Sequence, residues 1–310
     1  MFKRRQKGGA AVGICLETDA FSVAGVSRGA AIPPRLTFAE RTAVTDPQQR
    51  KSDLEELLRR GKLQGQPSHM ILPLNTYQTI QLDLPDVPLE EARQAVRWQI
   101  GERIDYPADQ AQIDLYQIAP FAGERRAQSY AVAARRQELR EQVDLIAAAG
   151  QRLQTIDIPE FALRNVCELF VEDPRGVALL LLLEQSGLFV VVRDGVLYLS
   201  RQLPMGMNSL LAYDPDDSAM ISMFDTIVLD IQRSFDYCES TFQLPTVSRL
   251  LVAQTQQEIP ALVHYLSDYL TTRVEPLRLA DVMDVPDPAD QLMLNHLLLA
   301  IGGALRQGDK

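Results

Sequence analysis

The side chains able to do covalent or metal chemistry are few and poorly spaced for it. Cys15, Cys167 and Cys238 lie far apart and are odd in number, so they give neither a disulfide framework nor metal-ligand spacing, and a reducing compartment suits them. His69, His264 and His296 have no Cys or acidic neighbour at ligand spacing, and the last two fall within helical patterns; all three are expected to be structural or surface residues. Ser186-Gly187 lacks the first glycine of a nucleophile elbow, and His69 has no assignable partner. No nucleophile-and-base pair is evident, so neither a catalytic residue set nor a metal site is expected. What remains is binding chemistry, and its strongest bearer is the single tryptophan, Trp98. An apolar stripe of Leu89, Ala92, Val96 and Ile100 stacks on one face of a helix running from Pro88 to about Ile104. Trp98 projects about 180° from that stripe at 3.6 residues per turn. It is either an interface anchor or packed beneath a neighbouring subdomain.

The elements that must position these residues read as two lobes. The chain has 310 residues, 46% hydrophobic and 23% charged, which fits a globular protein long enough for two cores and excludes disordered, collagenous or repeat-dominated classes. Its longest strongly apolar run, Val177 to Leu183, is far short of the roughly 20 residues that span a bilayer. The basic Lys3, Arg4, Arg5 and Lys7 are followed by Gly8 and Gly9 rather than an apolar segment, so no secretory signal is expected; this is a solvated tail or a contact to anionic lipid. The formal net charge of -10, with acidic clusters at Asp214, Asp216, Asp217 and over 281–290, argues against nucleic acid as a partner.

Alternation over 11–27 predicts an opening β-hairpin. A helix over 46–60 and a short strand at Met70–Leu72 follow, the strand ended by Pro73. Strands from Tyr77, over 113–118 and over 129–134, and a helix over 136–149 closed by Gly150, make an α+β insert; a strand over 153–158 comes next. The second lobe opens with buried strands over 177–183 and 188–192 and an Asp194-Gly195 hairpin turn. A long helix with Ile221, Phe224, Ile227, Val228, Ile231, Phe235 and Cys238 on one stripe then precedes a strand over 249–253 and a helix over 259–270. An apolar helix over 292–300 closes the chain.

Several blocks, in order, resemble one family. They are Ile71-Leu72-Pro73-Leu74-Asn75-Thr76-Tyr77-Gln78, Leu84-Pro85-Asp86-Val87-Pro88 with Ala95-Val96-Arg97-Trp98-Gln99, Ile104-Asp105-Tyr106-Pro107, Ile156-Asp157-Ile158-Pro159-Glu160, Arg193-Asp194-Gly195 through Arg201, and Ile231-Gln232-Arg233-Ser234-Phe235-Asp236-Tyr237. Over roughly 12–306 the chain resembles PilM-like type IV pilus assembly proteins, in particular the MshI-like branch of mannose-sensitive haemagglutinin (MSHA) pilus biogenesis. The resemblance implies a two-lobed actin-like α/β fold, ribonuclease H-like and of the FtsA/PilM type, with an inserted α+β subdomain. On that basis residues 1–10 are a basic tail and 11–73 the first lobe, completed by 290–306. Residues 74–149 are the insert, 150–175 a connecting strand and helix, and 176–289 the second lobe. It also implies a scaffold at the cytoplasmic face of the inner membrane, holding the N-terminal tail of a PilN-like bitopic protein in a groove beside the insert, with the assembly ATPase as a second candidate partner. Trp98, Tyr106 and Pro107 would line one wall of that groove and Asn75 and Tyr77 the other. The alternative is an actin-like component of a type II secretion system, whose version continues into a membrane helix.

Actin-like ATPases cradle phosphates on glycine-containing hairpin turns, because backbone amides must approach the anion closely. Where the family's first turn resembles Gly-Ile-Asp-Ile-Gly-Ser, this chain has Gly13-Ile14-Cys15-Leu16-Glu17-Thr18. The metal-directed aspartate becomes Cys15 and the amide-donating glycine becomes Glu17, whose carboxylate would repel a phosphate by about 1 kcal/mol even when well screened. The second turn has Glu184 and Gln185 with Gly187 nearby, and the adenosine-side glycines are replaced by Ala253-Gln254-Thr255-Gln256. The expectation is a pseudo-ATPase without tight nucleotide binding. A register shifted to Asp19 and Gly187 leaves a weakly ATP-binding, nucleotide-switched protein as the alternative.

Overall fold

The computed structural model describes residues 9–29, 33–83, 96–97, 99–118, 127–171, 173–214, 217–286 and 290–307. Two five-stranded sheets share one wiring plan. In the first, β1 (Ala10–Leu16), β2 (Ala20–Ser27) and β3 (Arg35–Ala43) form an antiparallel meander. β4 (Pro67–Ile71) adds parallel to β1, and β8 (Arg152–Asp157) adds parallel to β4, giving the order β3-β2-β1-β4-β8. The second sheet repeats this with β9 (Val177–Leu182), β10 (Gly187–Arg193), β11 (Val196–Leu203), β12 (Arg249–Gln254) and β13 (Arg273–Pro276), in the order β11-β10-β9-β12-β13. A third sheet, β5 (Tyr77–Leu82), β7 (Gln128–Arg135) and β6 (Ala111–Ile118), is inserted between β4 and β8 and is antiparallel throughout.

The helices follow from capping and periodicity. Asp46 accepts a hydrogen bond from Gln48 N at 2.8 Å and starts a 3-10 turn that leads into α1 (Arg50–Arg60), which buries Leu54, Leu57 and Leu58. α2 (Arg136–Ala148) stops before Gly150, whose φ of +76° takes the left-handed turn that a side chain resists. α3 (Pro159–Cys167) and a short helix, α4 (Met207–Leu210), come next. α5 (Ser218–Phe242) is capped by Asp217, which accepts from Ala219 N. Its buried stripe is Met220, Phe224, Ile227, Ile231 and Cys238, whereas Ile221 is 42% exposed. The inclusion of Ile221 in that stripe is therefore corrected: Met220 lies four residues before Phe224, and Ile221 points about 100° away from it. α6 (Pro260–Tyr269) covers the same face of the second sheet. The expected closing helix is two, α7 (Gln291–His296) and α8 (Leu298–Ala304).

The largest apolar core lies between the inner faces of the two five-stranded sheets, around α3 and α8. Close approach explains the glycines there. A Cβ on Gly13 would stand 1.8 Å from the Ala300 carbonyl, and one on Gly302 2.2 Å from that of Ala162. α8 thus presses its backbone against β1 on one side and α3 on the other. Asn165 Nδ2 donates to the Gly302 carbonyl at 2.9 Å and fixes the crossing. The outer faces carry separate cores under α1 and α2 and under α5 and α6, and the inserted sheet has its own, which includes Val96, Ile100 and Ile104. Among the described residues, no helix is long and apolar enough to cross a membrane.

Candidate functional site

Two places are candidates: the region where the sheet-opening turns bring Glu17, Arg41, Glu184 and His296 near one another, and a groove beside the inserted sheet. In the cleft, the β1–β2 turn is held by its own neighbours. Glu17 accepts from Arg41 at 2.7 Å and from Ser22 Oγ at 3.0 Å, while the Arg50 guanidinium donates to the Glu17 and Thr18 carbonyls at 2.9 and 2.7 Å. The β9–β10 turn is tied down likewise. The Leu183 and Glu184 carbonyls accept from Met207 N and Asn208 N, at 2.7 and 2.9 Å, and Gly206 packs so tightly on the turn that a Cβ would stand 2.4 Å from the Leu183 carbonyl. After β12, Thr255 Oγ1 donates to the Leu182 carbonyl and Asn295 Nδ2 to the Gln254 carbonyl. His296, on α7, lies in the field of Arg41, Glu184, Glu17 and Asp290; burial first, and then the Arg41 charge, lower its pKa.

The sequence-derived cleft residues separate into two groups. Glu17, Thr18, Glu184 and Gln185 lie in the two turns. Gly13 and Ala253 lie inside strands, Gly13 against the α8 backbone and Ala253 in the central core. Gly187 opens β10 and is paired with Leu182 and Leu203. Cys15 is buried in the same core, where desolvation and then the Glu17 charge push its thiol pKa up, so it stays a protonated apolar side chain. The arrangement offers an incoming anion carboxylates and carbonyls already in use, with the nearby cations Arg41 and Arg50 engaged within the first lobe. Among the described residues, no three His, Cys, Asp or Glu side chains converge as metal ligands.

The groove is a cavity of about 950 Å³. One wall is β6 from Gln112 to Ile118. The floor is the end of β8 and the start of α3, including Ile156, Phe161 and Arg164, and the far wall is the Asp194-Gly195 hairpin turn. Both turn residues have positive φ, 51° and 74°, which a two-residue hairpin requires. Ile156 is 41% exposed, a large apolar side chain open to the cavity. Tyr116, Tyr130 and Phe161 form an aromatic step, Tyr116 stacked on Tyr130 and edge-on to Phe161, each at 5.0 Å between centroids.

The floor is stiffened by one buried ion pair and by hydrogen bonds behind it. Asp157 forms a salt bridge with Arg306 and accepts from Ile158 N at 3.1 Å. Burial raises the Asp157 pKa and the Arg306 charge opposes that rise. Behind the floor, the Tyr77 hydroxyl donates to Glu160 at 2.6 Å; burial raises the Glu160 pKa, and the Tyr77 hydrogen bond counters it. His69 shares a 2.7 Å hydrogen bond with Thr155, and its pKa is pushed down to about 4 by burial and then by the Arg306 charge.

Of the groove residues expected from sequence, Trp98 lies outside the described residues. Asn75 is exposed in a 3-10 turn, and Tyr77 faces Glu160. Tyr106 lies under the Arg135 guanidinium at 4.2 Å, and Pro107 caps a 3-10 turn. None of these four borders the cavity as described. The residues that do border it, β6 above all, carried only an ordinary strand signal. Nothing in a single sequence marks which strand edge stays open.

Neither a family model nor a curated protein sequence matches the chain. Solved structures do match over nearly its whole length. A structure described as "PilM-PilN type IV pilus biogenesis complex" aligns with a TM-score of 0.73 at 18% identity, covering 95% of this chain and 97% of that one. This chain has the actin-like fold. The cytoplasmic domain of EpsL, an inner-membrane component of the type II secretion system of Vibrio cholerae, aligns with a TM-score of 0.52 at 12% identity, over 97% of this chain and 100% of that one. A Bacteroides thetaiotaomicron protein described as having an actin-like ATPase fold and unknown function aligns with a TM-score of 0.50 at 9% identity, over 96% and 98%.

Proposed function

We propose that this protein is a PilM-like, non-catalytic scaffold of a type IV pilus inner-membrane platform, of the MSHA branch, acting at the cytoplasmic face. Its groove holds the N-terminal tail of a PilN-like bitopic membrane protein, and the assembly ATPase is a second partner. The observation that carries the reading is the groove itself: a cavity of about 950 Å³ with Ile156 and Phe161 on its floor, held by the buried Asp157–Arg306 ion pair, in a chain 95% of which aligns with the PilM–PilN structure. The nucleotide cleft supports a pseudo-ATPase reading, because its turns donate to and accept from their own neighbours and bring Glu17 and Glu184 to a place where a triphosphate would need amide donors. The weaker likeness to EpsL favours the pilus over the secretion system.

The test has two arms. A pull-down with the synthetic tail of the PilN-like protein of the same organism should capture the chain, and Ile156→Arg should reduce capture at least about 10-fold, the cost of placing one charge at an apolar contact. Loss of capture by the unaltered chain would refute the partner assignment. Calorimetry with ATP and magnesium should show no binding tighter than about 10 μM, near −7 kcal/mol; tighter binding would refute the pseudo-ATPase assignment.

A further inference from the structure

The first lobe is polarised along its strands. β1, β4 and β8 run parallel and start at one end of the sheet, where Ala10, Ser27 and Arg35 lie side by side and Arg152 stands opposite Pro67. α1 runs back the other way, from Arg50 at the Glu17 and Thr18 carbonyls to Arg60, so its last turn and Lys62 share that end. The described cations there are Arg28, Arg35, Arg59, Arg60, Lys62 and Arg152. Arg35, Arg59 and Arg60 pair with Asp284, Glu56 and Glu40, and Arg28 donates to the Leu305 carbonyl. Asp144 stands four residues before the end of α2 on the same side. The Lys62 and Arg152 side chains are exposed, and among the described residues neither has a hydrogen-bond or ion-pair partner. Lys3, Arg4, Arg5 and Lys7 precede β1 in the sequence, all within a chain reach of about 25 Å from Ala10.

The opposite end is acidic. The β1–β2 turn carries Glu17 and Asp19, Asp46 follows β3, and Glu184 and Asp290 act on the same region, where Arg41 and Arg50 are engaged by Glu17 and by the turn carbonyls. β1 from Ala10 to Leu16 spans about 20 Å at about 3.3 Å per residue. That is more than twice the Debye length of about 8 Å at physiological ionic strength, so a charged surface laid against the strand starts meets their cations and is screened from the acids beyond. The formal net charge of -10 then orients the chain at an anionic surface, with the acidic end outward. Four strand spacings of about 4.8 Å separate Arg35 from Arg152, so the cations spread over about 19 Å. A single-stranded polynucleotide follows a narrow groove with stacking aromatics, whereas a broad end of strand starts and helix ends suits the plane of a bilayer.

We propose that the strand-start end of the first lobe is a docking face for anionic phospholipid, built on Lys62 and Arg152, extended by the basic residues ahead of β1, and turning the cleft away from the bilayer. None of these cations lines the groove, so the face is separate from the peptide site and stands independently of the partner assignment. Each Lys or Arg brought to an anionic membrane surface strengthens binding about 5-fold, and the effect fades within a Debye length.

The probe is vesicles of phosphatidylethanolamine with phosphatidylglycerol, and neutral phosphatidylcholine vesicles for reference, in a flotation assay on the full chain. The anionic vesicles should bind at least about 10-fold more tightly than the neutral ones, and the preference should shrink as salt rises. Equal binding to both, or binding to neither, overturns the proposal. Lys62→Glu with Arg152→Glu should weaken binding to anionic vesicles at least about 25-fold. Lys51→Glu with Arg233→Glu makes the same change in net charge at the cleft end of α1 and on α5, and should weaken it less than about 3-fold. Equal losses in the two double variants overturn the docking face and leave only net charge. RNA that strips the chain from the vesicles at a lower phosphate concentration than the lipid supplies overturns the choice of a membrane. Both double variants should still capture the PilN-like tail in solution as the unaltered chain does, which shows that they fold and separates failure at the lipid face from failure of the partner assignment.

Discussion

Replacing Arg306 by Met removes the cation that faces Asp157 on the groove floor. Asp157 is 6% exposed, and the side chains of the pair are 17% and 5% exposed for Arg306 and Asp157. Breaking a pair this deep leaves a carboxylate with too few partners, which costs about 3–5 kcal/mol. For a chain of this size that corresponds to a drop of roughly 5–10 °C in melting temperature, at about 2 °C per kcal/mol. The pH dependence follows from the direction of the shift. The Asp157 pKa is raised by burial even with Arg306 present, and the substitution raises it further. A carboxyl whose folded pKa exceeds its unfolded value binds more protons when folded, so it lowers stability as pH rises from about 3.9 up through the folded pKa. The variant's deficit is therefore larger at pH 7 and shrinks as pH falls toward about 4. Urea unfolding of both proteins at pH 7 and at about pH 4.5 measures it, and Asp157→Asn with Arg306→Met should recover most of the loss. A deficit below about 1 kcal/mol at pH 7, or one of equal size at both pH values, would refute the reasoning.

Gly302→Ala should cost at least about 3 kcal/mol, because its Cβ would meet the Ala162 backbone at 2.2 Å, whereas Gly150→Ala, with open space around it, should lose only about 1 kcal/mol through its φ of +76°; thermal unfolding of the two separates overpacking from backbone strain. Tyr77→Phe deprives the buried Glu160 of a 2.6 Å donor and should destabilise by about 1–3 kcal/mol, read by urea titration at pH 7. Cys15 and Cys167 are buried, and burial pushes both thiols up; a disulfide-exchange reagent should leave them unmodified in the native protein and label them once urea unfolds it.

Much of the fold was legible because its elements carry strong local signals. The opening hairpin, the Asp194-Gly195 turn and the Gly150 stop each pair a periodic run with the residue its turn chemistry demands. β3 escaped notice because Arg35–Ala43 is a mostly half-exposed strand with no clean alternation, and β13 because four residues at a sheet edge make no pattern. The close helix contacts at Gly13 and Gly302 were equally hidden. A glycine kept for a phosphate and a glycine kept for a helix backbone look alike in sequence, and Gly13, which resemblance places in the degenerate nucleotide turn, has the α8 backbone against it. The actin-like fold came from ordered blocks of resemblance. The groove walls did not, since an open strand edge is a property of what fails to pair with it, and that is decided in three dimensions.

The contact between Gly13 and α8 joins positions about 290 residues apart in the chain. At about 5–20 residues per second, a ribosome takes roughly 15–60 s to make α8 after β1 has emerged. Throughout that interval the inner face of the first sheet has no lid, and Val26, Cys15 and Ile71 stand open to whatever apolar surface is near. Newborn chains of this protein should therefore depend on chaperone shelter until the last helix arrives, and slowing translation should increase their loss to aggregation.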